Sequence, residues 1–280
     1  MSRVIVCSNS VDGHVAPLLA VARDLLGRGH RVVFYTGSQF RQRVLACGVA
    51  FWAFPPGSDF DVRDLATEFP QWMALPPGRA RSAYELKEIG IKPIPVQVRG
   101  LHKLLEAFPA DVVISEQTLF GPFAAVQGLP AMERPKLVTL GILNPFFQSV
   151  DTAPHGTGLL PLSGWEGDVR NLALNAEARQ NFASIQAYAE AIFMSVGAHL
   201  DGYLFDAVLK HSDYYLQLTV PGFEYPRGDL PSHFRFIGPI PPALGATNYE
   251  PAPWWPELSQ QRPVVVVSQG TFANADLVSV

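Results

Sequence analysis

Residues 3–37, RVIVCSNSVDGHVAPLLAVARDLLGRGHRVVFYTG, decide the fold class. Val4 to Cys7 is an unbroken apolar run, the pattern of a strand buried on both faces of a parallel sheet. A polar loop ending in Gly13-His14 follows, then apolar residues at helical spacing from about Pro17 to Leu26, with Pro17 expected in the first turn, where its missing N–H costs nothing. Gly29 reads as the helix stop, and Arg31 to Tyr35 as a second buried strand. The unit is βαβ. It sets the imidazole of His14 past the carboxyl end of the first strand, in the crevice where open α/β sheets bind ligands.

The alternation continues outward. Gln39 to Ala46 reads as a helix ending at Gly48, and Val49 to Phe54 as a third strand closed by Pro55-Pro56. From Pro56 to Pro95 no period holds; a long irregular stretch of this kind in a compact domain is usually functional or mobile. Val96 to Phe108 is a helix by spacing, Ala110 to Ser115 a fourth strand ending at Glu116, Phe120 to Gln127 a short helix, and Lys136 to Leu140 a fifth strand. Residues 144–168 carry too many Gly and Pro for an element, which places them as a loop at the working face. One or two long helices are expected between Asp168 and Lys210, on an apolar face that includes Leu172, Phe182, Ile185, Ala189 and Phe193. Tyr214 to Thr219 and Phe234 to Ile237 read as the last strands of this domain.

These elements define the expected domains. Residues 1–240 form a Rossmann-like α/β domain, a parallel sheet with helices on both faces. The proline-rich stretch 241–262 is a linker. Residues 263–280 hold another apolar strand, Val264 to Val267, and the start of a helix with Asn274 as a plausible N-cap. Eighteen residues from Pro263 cannot bury a core of their own, since an independent domain needs roughly 40 or more, so most of a second domain is expected to be missing. A lone four-valine strand would expose backbone and apolar surface, and is expected to dock or to be disordered.

Composition excludes several classes. With 21 basic and 25 acidic side chains and a net charge of −4, the chain has no basic stripe for nucleic acid. About five apolar residues before Ser8-Asn9-Ser10 are too few for a signal core of about 7–15, and no apolar run approaches the ~18 that span a bilayer. A cytoplasmic location is the expectation. Cys7 and Cys47 lack metal-type spacing and read as small buried hydrophobes. The first strand is followed by S-N-S-V-D-G-H rather than G-x-G-x-x-G, and the second ends in Tyr35-Thr36-Gly37 with no acid for a ribose, which argues against a nicotinamide dehydrogenase.

Three stretches carry a resemblance: GHVAPLLAVARDLLGRGHRV (13–32), FRFIGPI (234–240) and VVVVSQGT (264–271). They resemble the opening and the domain crossover of family-1 glycosyltransferases, the group containing macrolide and plant secondary-metabolite glucosyltransferases. ADVVISE (110–116), GLP (128–130) and APHGTGLLP (153–161) extend the likeness. The resemblance implies a two-domain GT-B fold, with an acceptor-binding N-terminal half and a nucleotide-sugar-binding C-terminal half. The chain ends before the family's C-terminal donor signature, so it is expected to be inactive alone, with the nucleotide sugar, UDP- or TDP-linked, held by the missing domain.

Inverting sugar transfer needs a base, because the attacking hydroxyl of a hydrophobic acceptor must lose its proton. A neutral imidazole, titrating near 6.5, suits this, and general-base help is typically worth about 10²–10⁴ in rate. His14 is the candidate; the bland reading is a loop histidine bonded to backbone. With the first and fourth strands adjacent, Glu116 falls near it and could orient the ring, as the acid of a catalytic dyad does; a helix-capping or solvated acid is the alternative. The resemblance implies Asp at this position, and Glu is longer by one methylene. Gly270 and Thr271, with Ser268 beside them, form a strand-to-helix turn able to bind the donor phosphates. Gly13, Trp72, Phe120, Phe146 and Phe147 are candidate acceptor-pocket residues, with Trp165 a further aromatic in an irregular stretch. His155 reads as a loop residue. No acidic cluster suits Mg²⁺, so neither a metal nor a further cofactor is expected. Two other functions fit the same scaffold, a non-catalytic acceptor-binding module and a sugar-nucleotide epimerase.

Overall fold

The structure, a computed structural model, describes residues 1–61, 64–240, 250–259 and 262–267. Seven parallel strands form one sheet in the order β3-β2-β1-β4-β5-β6-β7. They are β1 (Arg3–Cys7), β2 (Arg31–Thr36), β3 (Ala50–Ala53), β4 (Val112–Glu116), β5 (Lys136–Gly141), β6 (Tyr214–Gln217) and β7 (Phe234–Phe236). The Rossmann-like α/β class expected from sequence is therefore present, with helices on both faces.

Strand alternation explains the two layers. Val4 and Val6 of β1 face one side, where they pack with Val15, Leu18, Leu19 and Ala22 of α1 (Asp12–Gly27) and Val44 of α2 (Arg41–Ala46). Ile5 and Cys7 face the other side, against Leu101 of α6 (Ile94–Ala107) and Phe123 of α7 (Phe120–Gln127). Phe193 of α8 (Trp165–Ser195) and Val208 of α9 (Leu204–His211) complete that side. Cys7 is fully buried, and burial pushes its thiol well above its ordinary pKa. Cys47 is half-buried.

Four local features differ from the sequence expectation. Helix α1 starts at Asp12, so Pro17 lies inside it rather than in its first turn, and His14 is in the first turn instead of the loop. The missing Pro17 N–H leaves the Gly13 carbonyl without its intrahelical donor. At the other end Gly29 stops the helix as expected: with φ of 85° it is left-handed, its N–H bonds Leu26 and the N–H of His30 bonds Leu25, a Schellman cap. The stretch 56–95 is not irregular throughout. It contains α3 (Leu65–Glu68), α4 (Pro70–Ala74), α5 (Arg79–Tyr84) and a π-helical turn at Glu85–Ile91, pieces too short to show a hydrophobic period.

The long helix α8 buries its expected apolar face only in its second half, at Ala189 and Phe193; near its start Leu172 is exposed and Asn171 and Asn175 are buried. The asparagines bond the loop before the helix, Asn171 Nδ2 donating to the Val150 carbonyl at 3.0 Å and Asn175 Nδ2 to that of Ser149 at 2.9 Å. Val264 to Val267 form no strand and are exposed, and no described strand pairs with them.

Candidate functional site

The sheet reverses its strand order between β1 and β4, which opens a crevice at their carboxyl ends. The two strands run in register, Val6 opposite Ile114 and Cys7 opposite Ser115. Glu116, the last residue of β4, therefore meets the chain as it leaves β1 through Asn9 and passes into the first turn of α1, which carries His14. His14 Nδ1 lies 3.1 Å from Glu116 Oε1. A carboxylate only accepts, so Nδ1 carries the proton and Nε2 is left with the lone pair.

Glu116 is held from every side. Its side chain has no exposed surface, whereas that of His14 is 16% exposed, so only the imidazole can reach a ligand. Asn9 Nδ2 donates to Oε1 at 2.5 Å, and the Thr118 backbone N–H and hydroxyl donate to Oε2 at 2.6 and 2.8 Å. Asn9 also donates to the Thr118 hydroxyl oxygen at 3.1 Å. Burial alone would push the carboxyl pKa up; the charge and hydrogen bond of His14, with the two donors of Thr118, outweigh it and hold the pKa below the usual carboxylate value. For His14 burial works to lower the pKa, but the charge and hydrogen bond of Glu116 leave it raised above 6.5. The pair is a base whose tautomer and orientation are fixed by four donors on one buried carboxylate.

His14 stands in the wall of a cavity of about 390 Å³. Asn9 and Thr118 line it on the sheet side, with Phe120, Phe146 and Phe205 as aromatic walls and Leu86 and Ile89 opposite. The π-turn builds that far wall. Its wider coil, closed by the Lys92 N–H on the Lys87 carbonyl at 2.9 Å, brings Glu85, Leu86, Ile89 and Gly90 to the cavity together. A Cβ at Gly90 would lie 3.7 Å from Phe120 Cε2, an ordinary contact, and 3.3 Å from Leu86 Cδ1, which would have to shift by only a few tenths of an ångström.

The structure brings His14, Glu116, Phe120 and Phe146 together and places the other sequence candidates elsewhere. Gly13 is exposed in the first turn of α1, with open space around it. Trp72 lies behind the wall under Arg81, whose guanidinium carbon is 4.9 Å from its ring centroid. Phe147, adjacent to Phe146 in a loop, turns away and packs on Tyr215 and Phe234 at 5.7 and 5.9 Å. Trp165 is exposed at the start of α8. His155 accepts from Asn144 Nδ2 at 2.9 Å and stacks edge-on with Phe146 at 4.4 Å, outside the cavity. Burial, then the charge of Arg227, lower its pKa. Ser268, Gly270 and Thr271 lie outside the described residues.

Sequence reasoning missed Asn9, Thr118, Glu85 and Phe205. Thr118, two residues after a carboxylate at a strand end, had a signal: its N–H closes an Asx-like turn on Glu116. Asn9 had a weaker one, its place two residues past the end of β1. Among the described residues no group of three or more His, Cys, Asp or Glu could hold a metal ion, and no helix is long and apolar enough to cross a membrane.

Comparison with known proteins adds to this geometry. No family model matches the chain. Over 278 residues it is 36% identical to UDP-glycosyltransferase 2 of Phaeomoniella chlamydospora, covering 97% of this chain and 61% of that protein. It is 37% identical to 4'-demethylrebeccamycin synthase of Lentzea aerocolonigenes, covering 98% of this chain and 64% of that protein. The chain thus spans about three fifths of the length of these curated relatives. Among solved structures, the glycosyltransferase of kitacinnamycin aligns with a TM-score of 0.57 at 17% identity, covering 94% of this chain and 55% of that one. CalG4, the calicheamicin glycosyltransferase, aligns with a TM-score of 0.53 at 15% identity, covering 85% and 52%. These two share the fold.

Proposed function

We propose that this chain, a homologue of UDP-glycosyltransferases with the fold of GT-B enzymes, is the acceptor-binding half of an inverting glycosyltransferase. The observation that carries this reading is the His14–Glu116 pair opening onto a largely apolar cavity. A hydrophobic small molecule lies against Phe120, Phe146 and Leu86 with its hydroxyl at His14 Nε2. As the hydroxyl oxygen forms its bond to the anomeric carbon of a nucleoside-diphosphate sugar, Nε2 takes the proton. The bond from that carbon to the diphosphate breaks on the opposite side, and its electron pair leaves with the diphosphate, which inverts the centre. Glu116 stabilises the imidazolium that results.

The donor, a UDP- or TDP-sugar, is bound by a domain that these residues do not contain, with Ser268, Gly270 and Thr271 contributing to its phosphate site. Turnover therefore requires that domain, in line with a chain that covers 61% and 64% of its relatives. The test is release of nucleoside diphosphate from UDP- and TDP-sugars with phenolic and macrolide acceptors. It compares this chain with one extended to the length of its relatives, each with and without His14→Ala. Acceptor-dependent release by the extended protein alone, abolished by the substitution, is the expected result. Conversion of the donor to an isomeric nucleotide sugar without any acceptor favours an epimerase; tight acceptor binding without release by either protein favours a binding module.

A further inference from the structure

The cavity has an uneven charge. Of the described residues that line it, only His14 and Glu85 ionise, and neither Lys nor Arg is among them. Behind His14 stands the buried carboxylate of Glu116. Arg81 of α5, one turn before Glu85, is turned to other work: its Nε donates to the Leu75 carbonyl at 2.8 Å, its Nη2 bonds the same oxygen, and its guanidinium covers Trp72. Lys87 sits over the ring of Tyr188, 5.0 Å from its centroid, and Lys92 pairs with Glu88 at 2.6 Å. Arg79 lines the neighbouring groove, together with Glu177.

Glu85 is a carboxyl among Leu86, Ile89 and Phe60 at the far wall from the base. Burial raises its pKa, opposed by the nearby Trp72 indole and the charge of Arg81. A carboxyl in an otherwise apolar wall is costly unless a partner answers it, and a ligand's ammonium, N–H or hydroxyl can do so.

We propose that Glu85 reads the acceptor, so that the cavity takes neutral or cationic hydroxylated ring systems bearing a hydrogen-bond donor away from the reacting hydroxyl, and rejects carboxylates. This rests on the acceptor-site reading above. An anionic acceptor would meet Glu85 in front and Glu116 behind, with no Lys or Arg among the described residues that line the cavity, and like charges placed together oppose binding. A cationic or neutral donor group instead completes the hydrogen bonding of Glu85. Glu85 is a specificity residue and takes no part in proton transfer.

The test is equilibrium binding to this chain of three hydroxyanthraquinones that differ in one substituent on the distal ring: aminomethyl, hydroxymethyl or carboxylate. The expected order is aminomethyl tightest and carboxylate weakest, with at least about tenfold between them. Glu85→Gln should collapse that order, bringing the aminomethyl and carboxylate compounds to within about threefold of each other. A residue that merely braces Trp72 would lower thermal stability without changing the order. The wild-type series decides the matter even where the variant folds poorly. Equal affinities, a preference for the carboxylate, or an order that survives Glu85→Gln overturns the proposal and leaves the acceptor site standing. Failure of all three compounds to bind the folded wild-type chain overturns both.

Discussion

The wall of the cavity that carries His14 stands on the ends of β1 and β4, whereas the opposite wall stands on α5 and the π-turn. On the first wall the register of two buried strands brings Asn9, His14, Glu116 and Thr118 into one hydrogen-bonded set. On the second wall Ser82, Glu85, Leu86 and Ile89 reach the cavity from a segment of short helices that pairs with no strand. The difference separates two tasks. Proton transfer needs atoms held to a fraction of an ångström, which a sheet provides; acceptor choice needs a surface that can change without disturbing the base.

Substitutions should therefore divide by wall. The largest effect is expected for His14→Ala, with turnover of the extended protein falling about 10²–10⁴-fold. Acceptor affinity, measured by fluorescence titration, should stay within about threefold, because the apolar walls are untouched. Loss of affinity with unchanged turnover would erase the distinction between the walls.

Next is Glu116→Gln. The amide turns two N–H donors toward a site where Asn9, His14 and Thr118 already donate, so at least one buried donor loses its acceptor. Denaturant unfolding should show a cost of about 1–3 kcal/mol. The pair also links stability to pH. The folded pKa of His14 is raised, so its contribution is fully present below its unfolded value near 6.5 and is lost as pH rises through the folded value. The folded pKa of Glu116 is lowered, so its contribution is present above its unfolded value near 4.5 and is lost as pH falls through the folded value. Wild-type thermal stability should thus decline as pH is raised past His14, and His14→Ala should lack that decline.

The smallest effect belongs to the other wall. Leu86→Ala should raise KM several-fold, as the loss of up to about 1.5 kcal/mol of apolar contact would, with kcat and its pH profile unchanged. A kcat effect equal to that of His14→Ala would show that the two walls are not separable.

The same division governs what the sequence discloses. Val4–Cys7, Arg31–Thr36 and Val112–Glu116 are long apolar runs, and the helix at Phe120–Gln127 falls where its flanking breakers put it. Once β1 and β4 are neighbours, the meeting of His14 and Glu116 follows from their places at strand ends. The entry of α1 was hidden because Pro17 looks like a helix start, yet the helix tolerates it one turn further in. On the opposite wall α5 runs straight into the π-turn at Glu85, and the change of helical spacing there left Glu85 no pattern to announce it. Phe146 and Phe147 are adjacent aromatics in a loop, and only the packing of Phe147 on Tyr215 and Phe234 sends one to the cavity and the other to the core. In α8 the buried Asn171 and Asn175 beside exposed Leu172 invert the hydrophobic rule, because the loop they hold offers carbonyls.

Glu116 holds the His14 imidazole above the pKa of a free ring. NMR titration of the His14 ring in this chain, beside the same titration of Glu116→Gln, measures that directly and needs no donor. The wild-type ring should titrate above 6.5 with its proton kept on Nδ1 in the neutral form, and the variant should titrate below 6.5, because burial then acts unopposed. A His14 titration that is the same in both proteins would contradict the account.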